Sequence, residues 1–448
     1  MIVDYITKNR RTKGGYSPFI LEHKNLFAKE EKKNGVKSKI SIHIFYKTVL
    51  IKENKYKKYL LSLLKNEKFN LKFFEKERDL NIYSYFLPEV RDYIFPTFSY
   101  DKQKIKEFEN LDNALKSNLL ADLHCNVFEY KLNKKAQGKI NDNEGIFFNI
   151  TNIEVICFDS GICFLLIKTD LENNQNFSNL LDFNYKFKDI NSEFSKLKEY
   201  NNIKIQTDEF SNMKDLPQFI QEVIGGEGKF ADLKDIDMYN RRFFVYTYAC
   251  VEQENWENFN DIENDFIKFT NVLPNNNTIA FNGEKLNKIV ETVDQFKNAR
   301  FGFTKQSATF LASSIDTNNY TKLLFEYDND YLYTLIFSLY QRIYLKKIEL
   351  DLKSKKNIDS IRRVFTKFTK EIWGKELTNS VTGTTFYSKW KKTFELEELY
   401  NNIKNKYDII YKDSSVEKEN KVNKIILIAL VISLLLNIIN LFVLIRIR

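Results

Sequence analysis

Residues 425–445 read IILIALVISLLLNIINLFVLI and decide the architecture of this chain. The stretch holds 21 residues and no charge. As an α-helix that rises about 1.5 Å per residue, it extends about 31 Å, which is the thickness of the hydrocarbon core of a bilayer. We therefore expect one transmembrane helix over residues 424–446.

Charges on either side of this segment indicate its orientation. Lys418, Lys421 and Lys424 precede it, and Arg446 and Arg448 follow it. Lysine-rich flanks stay in the cytoplasm, and two arginines cross a bilayer more easily than the long polar region before the span. Since no signal peptide is recognisable at the start of the chain, we expect a single-pass, tail-anchored protein of the inner (cell) membrane with its N-terminal bulk in the cytoplasm.

Three polar residues interrupt the span, namely Ser433, Asn437 and Asn440. Their spacings of four and three residues place them on one face of a helix. Carboxamides that face lipid leave hydrogen-bonding groups unpaired, so this face predicts a partner helix, and hence a homo-oligomer in the bilayer. Two interpretations remain open: the asparagines only set the helix register of the oligomer, or they line a pore.

Helical periodicity fills the hundred residues before the span. Apolar residues at spacings of three and four predict helices over residues 330–352, 358–372 and 390–410. No proline follows Pro274, so the last helix can continue into the span. We therefore expect a helical stalk over residues 301–423 that transmits motion to the membrane.

Residues 1–300 predict an α+β cytoplasmic domain that senses a ligand. The predicted strands are residues 38–51, 125–132, 145–150, 153–158, 162–169 and 241–251, and helical patterns cover residues 59–74 and 105–119. Cys157 and Cys163 flank an Asp-Ser-Gly turn between two apolar runs, which predicts a hairpin with two buried thiols. We expect an antiparallel or mixed sheet flanked by helices.

The net charge of +9 is concentrated in two regions. Residues 1–70 carry 17 basic and 6 acidic side chains, and residues 342–375 carry 11 and 4. The second run is interpreted as a solvated face or as a surface that attracts anionic lipids or lines the vestibule of an oligomer. The first run is not accompanied by an RNA- or DNA-binding motif, so we expect no direct binding of nucleic acid.

No catalytic or metal-binding pattern stands out in the sequence. The four cysteines and three histidines follow no zinc or haem spacing. The GGEGK stretch at residues 225–229 fails as a phosphate loop, because Val223 and Phe230 occupy positions that require Gly and Ser or Thr. We read it as a flexible turn, and we expect a protein that is not an enzyme and needs no cofactor or metal.

Four basic residues beside aromatic runs are the candidate ligand site: Arg241, Arg242, Arg300 and Lys305. Guanidinium groups pair with phosphate bidentately and aromatic rings stack on a base, so these runs predict a nucleotide site. Neighbouring residues of a strand point to opposite faces, so at most one of Arg241 and Arg242 faces a common pocket. The alternative is that all four are ordinary surface residues.

Four stretches carry a family resemblance: GICFLLIKTDL (161–171), LLDFNYKFKDI (180–190), YDNDYLYTLIFSLYQRIYL (327–345) and FYSKWKKTFELEELYNNIKNKYDIIY (386–411). With a membrane helix after them, the chain resembles the CorA-like membrane proteins, in particular the branch associated with type III CRISPR systems. The resemblance implies an oligomeric effector whose cytoplasmic domain senses a signalling nucleotide, S-adenosylmethionine joined to AMP. The Gly-Met-Asn filter of the magnesium channels is absent, because the methionines are Met1, Met213 and Met238.

Together these observations predict a nucleotide-gated membrane effector of antiviral defence. The expected partners are the bilayer, further copies of the chain and the signalling nucleotide. In this hypothesis the soluble domain binds the nucleotide, the stalk moves, and the oligomer permeabilises or depolarises the membrane. The alternative is a tail-anchored scaffold or protein-binding module without channel activity, and a membrane-tethered enzyme comes third.

Overall fold

A computed structural model describes most of the chain. The described residues are 36–132, 136–140, 145–171, 175–188, 203–206, 214–224, 242–253, 260–276, 290–293, 296, 298–354 and 358–447. All statements below concern these residues. The GGEGK stretch at 225–229 and the predicted ligand residue Arg241 lie outside them.

One mixed sheet of 12 strands organises the described residues. In chain order the strands are β1 (Ser38–Leu50), β2 (Phe69–Leu71), β3 (Cys125–Tyr130), β4 (Ala136–Ile140), β5 (Ile146–Phe158), β6 (Ile162–Leu171), β7 (Ile203–Gln206), β8 (Lys214–Asp215), β9 (Phe244–Val251), β10 (Glu291–Val293), β11 (Ala299–Phe303) and β12 (Ser307–Ser313). Their order across the sheet is β10-β11-β12-β9-β1-β6-β5-β4-β7-β8, with β3 beside β5 and β2 beside β3. The β9–β12 pair is parallel.

The β5–β6 hairpin lies in the middle of this sheet. Cys157 pairs with Cys163 across it, and both thiols are buried and free, which confirms the hairpin predicted there. Gly161 closes the turn with φ +79°, a conformation that glycine adopts without a steric cost. The β5 strand is bent by a bulge between Ile150 and Asn152, so its first half pairs with β4 and its second half with β3.

Helices cover both faces of the sheet. In chain order they are α1 (Tyr56–Lys65), α2 (Leu80–Tyr85), α3 (Pro88–Ile94), α4 (Lys102–Glu109), α5 (Asn113–Ala121), α6 (Phe177–Phe187), α7 (Leu216–Ile224), α8 (Asn260–Thr270), α9 (Lys322–Glu326), α10 (Leu332–Lys353), α11 (Ile358–Glu371), α12 (Val381–Thr393) and α13 (Leu396–Ile447). One π-helical turn, Tyr327–Tyr331, leads into α10.

Alternation along the strands builds one hydrophobic core on each face. On the first face, Phe45 of β1 stacks on Phe187 of α6 at 4.0 Å between ring centroids, and helices α1, α7 and α8 contribute to the same core. On the second face, Tyr246 of β9 stacks on Tyr327 at 4.3 Å, in a core built with α2, α3 and α10 to α13. The prediction of a mixed sheet flanked by helices is confirmed.

Side chains end two predicted helices early. The helix expected over residues 59–74 stops at Lys65, because Asn66 turns the chain by accepting a hydrogen bond from the Lys68 amide at 3.0 Å, and β2 follows. The helix expected over 105–119 is two helices, because the Asp112 side chain caps a new one by accepting from the amides of Ala114 and Leu115.

The C-terminal helices form a layer of the domain. The boundary predicted at residue 300 falls within β11, and the sheet continues to Ser313. Helix α10 is buried along most of its length against the second face, with Leu335 and Tyr340 fully enclosed. Only the later part of α13 stands away from this layer, so the sheet and the predicted stalk share one core.

Candidate functional site

Helix α13 joins the domain to the apolar segment without a break over 52 residues. Within the part of the chain that the structure describes, it is the one helix long and apolar enough to cross a membrane. The window Glu419–Ile439 has a mean hydropathy of 2.5, and none of it is buried. The helix thus runs on into the apolar segment, as the lack of proline allows, and this is consistent with a single-pass membrane protein.

The first four turns of α13 pack on the second core. Leu396 and Ile403 are buried in the second core, and Tyr400 stacks on Trp373 at 4.4 Å. Ile410 is the last of these contacts. Ile410 lies 15 residues, or about 22 Å along the helix axis, before Ile425, and the guanidinium of Arg362 on α11 still lies 5.5 Å from the ring of Tyr411.

A sharp corner, residues 393–396, precedes α13. The helix predicted over 390–410 is broken there by Glu395, whose φ of +53° is in the left-handed region. Phe394 anchors the corner by stacking on Trp390 at 5.1 Å, and the buried guanidinium of Arg342 lies 5.1 Å from its ring. No sequence signal announces this corner, since glutamate rarely adopts such a conformation.

Lys305 binds the corner directly. Its ammonium lies 2.6 Å from Oε1 of Glu395, so the turn between β11 and β12 is tied to the residue directly before α13. Arg242 comes to the same end of the sheet, because parallel pairing sets Val245 of β9 opposite Ser307 of β12. It precedes Phe244, whose ring contacts Trp390 and Phe394. The structure therefore places Lys305 at the corner and sets Arg242 at the same end of the sheet.

Arg300 occupies the opposite face of the sheet. Its guanidinium lies 5.6 Å from the ring of Phe266 on α8, in the layer away from α12 and α13. The structure does not bring Arg300 together with Lys305, and Arg241 lies outside the described residues. The ligand-binding role of the four basic residues stays a prediction.

Aromatic residues of both predicted runs pack in the core. Each exposes 2% or less of its surface: Phe243, Phe244, Tyr246, Phe301 and Phe303. Rings buried in this way present no free face to a nucleobase. Base stacking by these rings is therefore not available, and phosphate pairing by the basic residues stays a prediction.

Carboxylates neutralise most of the cations around the corner. Lys389 and Lys392 of α12 lie 3.0 and 2.6 Å from Glu291, and Lys391 lies 3.6 Å from Glu397. Lys305 and Glu395 remain about half exposed within their pair. An anion that reaches the corner thus competes with carboxylates for lysines that are already in place.

The basic run at 342–375 has partners elsewhere in the domain. Three of its lysines pair with carboxylates outside the run: Lys347 with Glu53 at 2.7 Å, Lys367 with Asp159 at 2.9 Å and Lys375 with Glu89 at 2.6 Å. These pairs join the helical layer to the turn at Glu53, to the β5–β6 turn and to helix α3, a role that the charge count alone did not indicate.

In the apolar segment, Ser433 and Asn437 are exposed on α13, and Asn440 lies on the same helix. Among the residues described, no group of His, Cys, Asp and Glu is arranged to hold a metal ion. Comparison of the chain with protein families, with curated proteins and with solved structures finds no match in any of the three.

Proposed function

We propose that this protein is a membrane-anchored, homo-oligomeric effector in which an anionic signalling ligand of the nucleotide class acts on the corner at residues 393–396. The observation that carries the proposal is the ion pair between Lys305 and Glu395. It ties the sheet to the residue from which one unbroken helix runs to the apolar segment.

The energetics suit a switch. An ion pair that is half exposed contributes at most about 1 kcal/mol, because water and salt screen it. A phosphate group forms charge-assisted hydrogen bonds with a lysine, as the Glu395 carboxylate does, and a nucleotide can pair with Arg242 at the same time. A ligand that binds Lys305 and Arg242 therefore displaces Glu395 at small cost and favours the state in which the corner is released.

The response reaches the membrane through α13. Release of Glu395 changes how the first turns of the helix sit on the domain, and a continuous helix carries that change to its far end. In the bilayer, Ser433, Asn437 and Asn440 of neighbouring copies face one another and line a polar path. The lysines before the span keep the domain in the cytoplasm at the inner membrane.

Reconstituted full-length protein tests the sensor. Binding of S-adenosylmethionine-AMP and of cyclic oligoadenylates would be titrated, and dye release from vesicles recorded. We expect Lys305→Glu to weaken binding at least tenfold and Glu395→Gln to raise leakage without ligand. The matched control is Lys102→Glu. It breaks the exposed ion pair with Glu77, and both of these residues are far in sequence from the corner. Unchanged binding in the first variant and unchanged leakage in the second would refute the sensing corner.

The membrane half has a separate test. Replacing Asn437 and Asn440 with Leu should abolish dye release and preserve ligand binding. Exchange of residues 425–445 for an unrelated apolar helix should also abolish dye release. If the exchanged protein still releases dye, the helix is only an anchor and the protein is a tail-anchored scaffold.

A further inference from the structure

A line of residues spaced by seven runs along the exposed part of α13. It consists of Ile409, Val416, Asn423, Leu430 and Asn437. All five are exposed, and the apolar members expose 61%, 54% and 63% of their surface for Ile409, Val416 and Leu430. A seven-residue repeat follows one face of a helix with a drift of about 20° per repeat, which a left-handed supercoil removes.

The domain occupies a different face of the same helix. Leu396, Ile403 and Ile410 are also spaced by seven, and they pack on the second core. They lie about 100° round the helix from the line, since Ile410 is the next residue after Ile409. The domain therefore leaves the line open along its whole length, including the part that lies closest to the sheet.

The span continues the line and indicates what covers it. Asn437 belongs to the line, and Ser433 and Asn440 flank it at the alternate heptad positions. These polar groups need partners inside a bilayer. Copies anchored from the same side are parallel and at equal depth, so Asn437 of one copy meets Asn437 of the next, and every residue of the line meets its own counterpart.

We propose that α13 forms a parallel, in-register coiled coil with α13 of further copies of this chain, along Ile409, Val416, Asn423, Leu430 and Asn437. Branched aliphatic residues at such core positions pack in parallel coils, and asparagines there fix the register. Lys412 and Glu419 hold the alternate positions outside the membrane, so the span supplies most of the association and the exposed helix guides it. The inference rests on the membrane insertion in the proposed function.

Disulfide trapping tests the coil in the full-length protein in lipid vesicles. Val416→Cys places a thiol on the line, and Lys421→Cys is the matched control on the opposite side of the helix, five residues away and also exposed. The four native cysteines are buried, so we expect them not to form cross-links. Under mild oxidation we expect Val416→Cys to cross-link at least ten times faster than Lys421→Cys. Equal rates, or a faster control, would overturn the coil.

A second cross-linking experiment tests whether the helices of the coil are in register. Chains with Ile409→Cys and chains with Val416→Cys, mixed before reconstitution, should each cross-link to their own kind and not to each other. An offset of seven residues separates the thiols by about 10 Å along the axis, which exceeds what a disulfide bridges. Abundant mixed dimers would exclude the in-register arrangement.

Flotation of the same vesicles separates this inference from the proposed function. Protein that floats without cross-linking at Val416→Cys retains its anchor and loses the coil. Cross-linking without any ligand effect on leakage keeps the coil and removes the sensing corner. A chain that does not float with vesicles removes the membrane insertion and the inference with it.

Discussion

Lys367 of α11 and Asp159 of the β5–β6 turn form an ion pair, with Nζ 2.9 Å from Oδ2. The same oxygen lies 3.1 Å from Nδ1 of His124. Burial by itself would raise the pKa of the Asp159 carboxyl, but hydrogen bonds and charge from His124 and Lys367 outweigh it and hold that pKa below its usual value. The pair fastens the helical layer to the central hairpin.

Removal of this carboxylate should weaken the domain in a pH-dependent way. Because Lys367 is 44% exposed, Asp159→Asn should cost about 1 kcal/mol at neutral pH. A carboxyl with a lowered folded pKa stabilises above its unfolded pKa of about 4, and that contribution is lost as the pH falls through the folded pKa. Thermal unfolding by circular dichroism should show a Tm gap that is constant from pH 7 to 5 and closes below about pH 4.

The control for this variant is Asp92→Asn, since the Asp92 side chain is 71% exposed and its contact with Arg91 is 3.5 Å long. It should leave the Tm almost unchanged. A gap for Asp159→Asn that persists undiminished at pH 3 would show that the loss does not come from the charge.

Asp330 should make the stability of the domain depend on pH in the opposite direction. It lies in the π-helical turn before α10, and its Oδ1 has no partner among the described residues. Burial, with a smaller contribution from the charge of Glu326, raises its pKa to about 7. Between its unfolded pKa and 7 the folded state binds more protons, so stability falls as the pH rises through this range.

Asp330→Asn removes this penalty because the amide stays neutral. The variant should gain stability relative to the parent as the pH rises from 5 to 8, by at most about 3 kcal/mol. Unfolding curves of the two proteins at both pH values measure this, and a difference that does not depend on pH would contradict it.

A third prediction concerns His43 and Asn184, which pair inside the first core. His43 Nδ1 lies 2.7 Å from Asn184 Oδ1, and both side chains are buried. Burial lowers the pKa of His43 to about 4, against the smaller raising effect of the hydrogen bond. Since the unfolded state then binds the proton more strongly, stability should fall as the pH drops from about 6.5 to 4.

Asn184→Leu leaves the imidazole without its partner and should cost about 1–3 kcal/mol. Adding His43→Leu should recover part of that loss and also abolish the decline below pH 6.5. The measurement is chemical denaturation of Asn184→Leu, His43→Leu, the double variant and the parent from pH 7 to 4. A double variant whose loss equals the sum of the single losses would argue against the pair.

Gly161 and Gly374 have nearly equal φ angles but different surroundings, so substitutions at the two positions distinguish the cost of backbone strain from the cost of a steric clash. A Cβ on Gly161, at φ +79°, would lie 2.2 Å from the carbonyl oxygen of Ile51, whereas a Cβ on Gly374, at φ +77°, meets nothing within 4 Å. Gly374→Ala should cost about 1 kcal/mol from strain alone. Gly161→Ala should cost at least twice that free energy, because the backbone at Ile51 must also shift. Similar Tm values for the two variants would contradict this prediction.

Local pattern was sufficient to predict several elements. The hairpin around Cys157 and Cys163, strand β1 and the continuous last helix follow from apolar periodicity, turn residues and the lack of proline. Errors arose where one side chain changes the local hydrogen bonding, as Asn66 does after α1. The left-handed Glu395 is a further case, since the core contacts of Phe394 hold a conformation that glutamate does not choose by itself.

The apolar segment, its length and its polar face were determined by the sequence alone, because composition and spacing within one helix suffice for them. Tertiary structure decided which partners the charges have and which face each strand residue takes. Only the fold sets Lys367 beside Asp159 and Lys305 beside Glu395, and sends Arg300 to the opposite side. These relationships join residues far apart in the chain, so they depend on how the sheet is assembled and not on any local pattern.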